Sequence, residues 1–505
     1  LPDRLCYRLN RGEPWVFCRV LKQTGKGHDY YWELAGRPFR EGRWGEAVLL
    51  EHADGYLEEA SVASGPDGLS VAYAGEHRAQ QAKRRPKALF GEVLEPEEDH
   101  HHDFDSEQGW KGDIYLAALK TGSAGDGSRL PQAAPKDLEV PERPARDQGA
   151  YQVALGGKTW KLMWGDTHRH SNVSRCSQGR EPTPDDLYKY GVDICLYDWL
   201  ALSDHAEHPA PNQDAVIDHY GWRQQKLADL YHVPGAFSVL YNLEWSLRFP
   251  HGHHNTVFPG RPALRLSRDI GASSTLQGGW DALAKAGVRA LTIPHTGADP
   301  KMGTDWSIQD DRFQRVCEIF QACRGSYEHS GCPREYLLKG GTQNKLGFYW
   351  NALEKGYHVG VIASTDHGYG AAYACVYATE NTREAVWQAM HDRRCYGSTT
   401  YGLVLDVRSG AHWIGEIWSS KSAPRLEVTV RGSAPIRSVE ILGRSKVLHA
   451  EGSVEKPLGQ AEVHLTWADP DWAAQDTEQW YYVRVIQEDD EMAWSSPVWV
   501  TPKRD

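Results

Sequence analysis

The sequence predicts an α/β protein in which a parallel (β/α) barrel is flanked by two β-rich modules. Three observations carry that expectation. Between residues 151 and 401, short apolar runs alternate with helical stretches. On either side, residues 1–120 and 402–505 alternate polar and apolar positions with the period of two that half-buried strands require. Four histidine-bearing segments stand where buried strands should end.

In the central region the strand candidates are 161–165, 199–203, 237–242, 290–293, 316–320, 359–364 and 374–378. Helical stretches at 183–190, 214–231, 279–286, 343–355 and 382–393 separate them. The helices expected at Thr183 and Thr382 open on a hydroxyl residue with acidic side chains in the first turn, which complements a helix N-terminus. About seven strand–helix units suffice to close a barrel, and sites on such barrels lie at the C-terminal ends of the strands. The four segments fall there: Gly165-Asp166-Thr167-His168-Arg169-His170-Ser171, Leu202-Ser203-Asp204-His205, Ile293-Pro294-His295-Thr296 and Ala363-Ser364-Thr365-Asp366-His367-Gly368.

The N-terminal module, 1–120, contains runs such as Ala47-Val48-Leu49-Leu50-Glu51 between Gly and Asp turns. Its acidic stretch 95–107, with His100, His101 and His102, reads as a solvated loop. Residues 121–150, rich in Gly, Pro, Ala and charge, read as a linker or wrap. After Gly402 the strand candidates 403–407, 425–430, 438–442, 462–467 and 481–486 suggest a C-terminal β-sandwich with a supporting role. A carbohydrate-binding role is the sharper alternative, encouraged by 20 tryptophans, most of which read as fillers of cores and domain seams.

Composition excludes several function classes. A net charge of -12 offers no basic face for nucleic acid, and the run Lys83-Arg84-Arg85-Pro86-Lys87 reads as a solvated loop. No segment approaches the roughly 18 apolar residues of a membrane span. Nine cysteines, mostly isolated, favour a reducing cytoplasm, with a Cys6–Cys18 bridge left open. The start, Leu1-Pro2-Asp3-Arg4, has neither an initiating Met nor a signal-peptide core. The expected partner is a small molecule, phosphorylated or saccharide-linked; the oligomeric state is open.

A single histidine of this kind is more often a satisfied buried residue than a ligand. Four segments that each deliver imidazole, three with a carboxylate or second histidine, weaken that ordinary reading and point to a multinuclear metal site. Imidazoles with carboxylates select Zn, Mn or Fe(II) over Mg or Ca, which prefer all-oxygen shells. Paired ions would activate water, with Asp366 or Asp204 accepting its proton. Arg248 and Arg324 are candidates to clamp a phosphate or carboxylate. Lys301, near Asp299 and Asp305, is a weaker one, and Glu318 is a candidate to orient a ligating histidine.

These segments resemble the ordered motifs of the polymerase and histidinol phosphatase (PHP) superfamily. The stretches Arg393-Arg394-Cys395-Tyr396-Gly397-Ser398-Thr399-Thr400 and Met492-Ala493-Trp494-Ser495-Ser496-Pro497-Val498-Trp499-Val500 resemble its DUF3604-like branch. The resemblance covers about residues 160–505. It implies a distorted (β/α)7 PHP-type barrel, two or three divalent ions per chain and hydrolysis of phosphoesters. Carried over, it makes His168, His170, His205, Glu244, His295, Asp366 and His367 ligands, Glu244 the bridging one, with Asp204 ligating or orienting. From His251-Gly252-His253-His254-Asn255 it takes one ligand, for which His254 is favoured because it enters the apolar run Thr256-Val257-Phe258. Where many members carry Asp or His beyond the first motif, this chain has Arg175 and Cys176. Cys176 then either ligates as a thiolate or the centre lacks one metal, and Arg175 is instead a candidate to offer charge to a substrate anion.

Three functions fit: a metal-dependent phosphoesterase; a hydrolase of a carbon-centred ester, amide or glycosidic bond using the same metals; and a non-catalytic module that metals merely stabilise.

Overall fold

A computed structural model describes residues 6–10, 13–23, 30–40, 42–53, 60–75, 113–120, 146–171, 174, 176, 181–206, 214–262, 264, 266–269, 271–337, 342–368 and 371–504. The basic run at 83–87, the histidines at 100–102, most of the linker and Arg175 lie outside them. The chain divides into two compact units, residues 1–142 with 177–183, and residues 143–176 with 184–505.

In the first unit, antiparallel strands Cys6–Asn10, Glu13–Gln23 and Tyr30–Arg40 form one sheet, while Ser61–Gly65, Gly68–Gly75 and Asp113–Lys120 form another. Alternate positions along them, Trp15 and Phe17, then Leu69, Val71 and Tyr73, point into one apolar core with Leu34, Leu50 and Val62. Period-two alternation thus produces a β-rich unit.

The second unit departs from the expected barrel. Strands form close to the central stretches the sequence indicates, for example Lys158–Asp166, Leu291–Pro294, Val316–Gln321, Gly360–Ser364 and Tyr373–Ala378. They assemble into separate sheets. Lys158–Asp166 pairs in parallel with Trp199–Leu200, which pairs in parallel with Ser238–Val239, but its other neighbours, Tyr373–Ala378 and Gln152–Leu155, are antiparallel. Tyr241–Ser246, His253–Phe258 and Leu291–Pro294 make a wholly antiparallel sheet. Val316–Gln321 and Gly360–Ser364 pair in parallel within a third.

No ladder closes these sheets into a (β/α)7 barrel, and the expectation of one is corrected. A parallel neighbour needs a crossover of a dozen or more residues, usually a helix. Here the chain turns straight back between Ser246 and His253, and runs from Pro294 to Val316 without a helix. Only five α-helices occur among the described residues, so the protein is β-rich.

The sheet holding Lys158–Asp166 continues through Cys395–Ser398 and Met492–Ser495 into Gln479–Gln487, Arg425–Gly443 and Val404–Ser409. These C-terminal strands fit a β-sandwich and extend the sheet that holds Lys158–Asp166 and Trp199–Leu200. Its large tryptophans, Trp413, Trp494 and Trp499, are fully buried, as core fillers are. No helix among the described residues is long and apolar enough to cross a membrane. Cys18 carries a free thiol.

A buried ion pair fastens this region together. Glu328, fully buried, accepts hydrogen bonds from Tyr482 Oη at 2.5 Å, Arg484 Nη1 at 2.8 Å and Trp494 Nε1 at 3.1 Å. Removing one partner of such a pair leaves an uncompensated buried charge. Glu328→Ala is expected to lower the unfolding free energy by about 3–5 kcal/mol, measured by urea denaturation.

Candidate metal centre

The strands Lys158–Asp166, Leu291–Pro294 and Gly360–Ser364 deliver His168 and His170, His295, and Asp366 just beyond their C-terminal ends, while Glu244 projects from within Tyr241–Ser246. Backbone contacts knit these ends together. Asp366 N donates to His168 O at 2.8 Å, Glu244 N to Asp204 O at 3.1 Å, and His295 N to His253 O at 3.2 Å. Gly165 is required next to the first motif, since a Cβ there would lie 2.2 Å from the Trp199 ring. Asp366 adopts the left-handed backbone conformation, φ 67°, which L side chains take rarely and Asp more readily than most.

Glu244, 1% exposed, is the hub. Its Oε1 lies 2.6 Å from His253 Nδ1, 3.3 Å from His205 Nδ1 and 3.6 Å from His295 Nε2. Its Oε2 lies 3.1 Å from His170 Nε2 and 3.4 Å from His168 Nε2. Asp366 Oδ1 faces the same two nitrogens at 3.3 Å from His168 and 3.2 Å from His170, and His367 Nε2 at 3.3 Å. The Nε2 atoms of His168 and His170 stand only 3.2 Å apart.

Four donor groups follow: His168, His170 and Asp366; His168, Glu244 and His295; His205, Glu244 and His253; and His170, Cys176 and His205. Within each, the ligand atoms lie within 4.8 Å of one another. Imidazole nitrogens and carboxylate oxygens converging in a buried space are the donor set of a transition-metal site, and these groups can hold a metal ion. The facing Nε2 pair supports the fit. Two ring nitrogens at that distance cannot both carry protons without repulsion, whereas two lone pairs can address one cation.

Outer contacts orient the donors. Glu318 Oε2 takes His168 Nδ1 at 3.0 Å, which turns Nε2 toward the other donors. Glu318 is itself held by Asn255 Nδ2 at 2.9 Å, by Gln321 Nε2 at 3.1 Å and by the Ser364 hydroxyl. Ser174 Oγ meets His170 Nδ1 at 2.9 Å, and Ser246 Oγ meets His205 Nδ1. Arg324 Nε donates to Asp366 Oδ2 at 3.2 Å.

In the metal-free protein, burial alone would raise the Glu244 carboxyl, but His205 and His295 and hydrogen bonds from His168 and His170 hold it well below its ordinary range. Burial opposes the charge on Asp366 too, yet His168, His367, His170 and Arg324 hold it well below as well. His168 is disfavoured as a cation by burial, but Asp366, Glu318 and Glu244 raise it from 6.5 to about 10. Burial and the neighbouring His168 push His295 down to about 4. For Cys176, burial works against the thiolate, and His170, His205 and His367 outweigh it, so the thiol falls well below its usual value.

Of the residues expected from sequence, the structure brings His168, His170, Cys176, His205, Glu244, His295 and Asp366 into these groups, with His367 and Arg324 against Asp366. It does not do so for the others. Asp204 instead accepts from Ser171 N at 2.5 Å and Ser171 Oγ at 2.6 Å, and from Gln224, so it shapes the turn of the first motif. Arg248 is exposed in the turn before His253, where its carbonyl accepts from His251 N at 3.0 Å. Lys301 donates its backbone N–H to Asp299 at 2.8 Å, and Asp305 accepts from Ser307 N at 2.8 Å, both local turn contacts.

His254 is replaced by His253. In the antiparallel register Ser246 pairs with His253 and Trp245 with His254. Side chains alternate across a strand, so Glu244, Ser246, His253 and Asn255 share one face while His254 takes the other. There His254 Nδ1 contacts Gly252 O at 3.0 Å and burial keeps it neutral, its pKa lowered to about 3. Ser174, Ser246, Asn255, Gln321 and Ser364 carried no sequence signal; for Asn255, the period of two counted from His253 would have supplied one.

Residues 345–425 and 437–489 match the family described as "Protein of unknown function (DUF3604)". Over 244 residues, 42% of this chain and 38% of the other, the chain is 28% identical to an uncharacterized protein of Chlamydia muridarum (strain MoPn / Nigg). A protein of Chlamydia pneumoniae, also uncharacterized, is 29% identical over 242 residues, again 42% of this chain and 38% of that one. The chain thus spans less than two fifths of the curated relatives it matches. Among solved structures, PsfC from Pseudomonas syringae PB-5123 is 16% identical with a TM-score of 0.27, over 43% of this chain and 82% of that one. The beta-glucuronidase of Bacteroides uniformis is 8% identical with a TM-score of 0.18, over 99% and 61%. Neither score indicates a shared fold.

Two outcomes are expected. Glu318→Gln weakens metal affinity about 10–100-fold with the fold retained, read by competition with a chromogenic chelator. In chelated protein, the raised pKa of His168 contributes stability that is fully present below pH 6.5 and lost as pH rises through about 10. The melting temperatures of wild type and His168→Gln therefore converge across that window; parallel curves would contradict the raised pKa.

Proposed function

We propose that the unit containing residues 184–505 is a metal-dependent hydrolase that acts on a small phosphoester. The observation that carries this reading is the sharing of one carboxylate, Glu244, among five imidazoles contributed by separate chain segments. A structural ion needs a single closed shell of about four ligands. Overlapping donor groups suit adjacent ions with positions left for water and substrate. The order of the motifs, from His168 and His170 to Asp366 and His367, supports a relation to the PHP superfamily. Zinc, manganese or iron, two or three ions per chain, suits this nitrogen and oxygen set.

Such ions supply Lewis acidity that makes hydroxide available near neutral pH and stabilises charge developing on phosphorus. The protein's own groups complete the chemistry. Glu318 fixes the ring of His168, and Glu244 holds five donors in register. Asp366 is the group placed to take a proton from attacking water. Its neighbour His367, with its side chain 32% exposed, can pass that proton toward solvent. Asp204 stands outside the donor groups, tied to the turn of the first motif by Ser171 and Gln224. Arg324, whose side chain is 16% exposed, stands beside Asp366 as the cation placed to meet a substrate anion.

The test is elemental analysis of protein purified without chelator or affinity tag, followed by a panel of phosphomonoesters and phosphodiesters. Two or three equivalents of Zn, Mn or Fe are expected, with turnover of at least one phosphoester. Glu244→Gln should lower turnover by more than the roughly 100-fold that loss of an outer-sphere partner costs. Metal-replete protein inert to every phosphoester would overturn the reading.

A further inference from the structure

We infer that Cys176 is a sulfur ligand of this centre, closing a metal position with His170 and His205 that discriminates against manganese and magnesium. The inference rests on the metal reading of the site and adds to it the chemical character of one position.

The sulfur is placed by the turn after the first motif. Ser174 N donates to Ser171 O at 2.9 Å, and Ser174 Oγ both accepts from His205 N at 3.1 Å and touches Cys176 Sγ at 3.3 Å. That serine therefore fastens the turn to the second histidine segment. Cys176 Sγ forms one donor group with ring nitrogens of His170 and His205, the three atoms lying within 4.8 Å of one another. The ring of His170 stacks on both neighbours, its centroid 5.0 Å from His205 and 4.5 Å from His367, within 20° of parallel.

The other cysteines differ. Cys195, Cys375 and Cys395 are buried within the apolar clusters, where burial raises their thiols. Cys323 touches the carboxylate of Asp366, a partner that also raises it. Only Cys176, among the described cysteines, belongs to a group of imidazole donors.

Thiolate is a soft donor. A sulfur with two imidazoles suits zinc, iron(II) or cobalt, whereas manganese and magnesium take oxygen-rich shells. Binding converts the thiol to a metal-bound thiolate and releases its proton to solvent, with no change of oxidation state.

The experiment is absorption spectroscopy of the full chain loaded with cobalt(II). Wild type is expected to show visible ligand-field bands together with a near-ultraviolet sulfur-to-cobalt charge-transfer band. Cys176→Ser should keep the ligand-field bands and lose the charge-transfer band, while Cys323→Ser should keep both. Cys176→Ser should also retain less zinc per chain than wild type. Bound cobalt without the charge-transfer band, or a band that survives Cys176→Ser, would overturn the sulfur ligand and leave the metal centre standing. A protein that binds no cobalt would overturn both.

Discussion

A buried carboxylate without compensation costs several kcal/mol, and Glu244 is almost wholly buried. The surrounding architecture answers that constraint. Imidazoles from His168, His170, His205, His253 and His295 face its two oxygens, and they come from segments far apart in the chain. Strand ends from separate sheets must meet at this point, and the backbone bonds from Asp366 to His168 and from Glu244 to Asp204 bring them there. A cation bound among the donors would complete the compensation, which is why the arrangement reads as a metal centre rather than as a polar core.

The same logic extends outward. Glu318 is a second fully surrounded carboxylate, with Asn255, Gln321 and Ser364 occupying its oxygens so that His168 is held by Nδ1 and presents Nε2 inward. Behind the site, the sheet runs without interruption into the C-terminal strands, and the Glu328–Arg484 pair lies between the loop after Val316–Gln321 and the strand Gln479–Gln487. The C-terminal region thus shares the scaffold of the site, which explains why residues 143–176 and 184–505 form one compact unit.

Much of the site was legible in the sequence, because four segments together carry histidines past the ends of apolar runs, where one alone would more often be a satisfied buried residue. His168, His170, His205, His295 and Asp366 stand in the four segments at strand ends, Glu244 came from the family resemblance, and the structure gathers all six. His254 could not be separated from His253, since the choice depends on which side chain shares a face with Glu244, and that is fixed by pairing with Ser246 in a neighbouring strand. Asp204 was drawn away from the donors by Ser171, a contact with no trace in spacing or composition.

The sequence by itself determined where most of the strands and helices form, the strand His253–Phe258 excepted, since apolar periodicity and helix-start residues act over a few neighbours. It also determined which residue types arrive at the strand ends. Only the tertiary structure decided how the strands pair. Direction and closure depend on the connections, and the turn from Ser246 to His253 and the helix-free passage from Pro294 to Val316 give antiparallel and separate sheets where local periodicity reads equally well as a barrel. The same tertiary decision set Cys176 beside the imidazoles of His170 and His205, the latter from a separate segment.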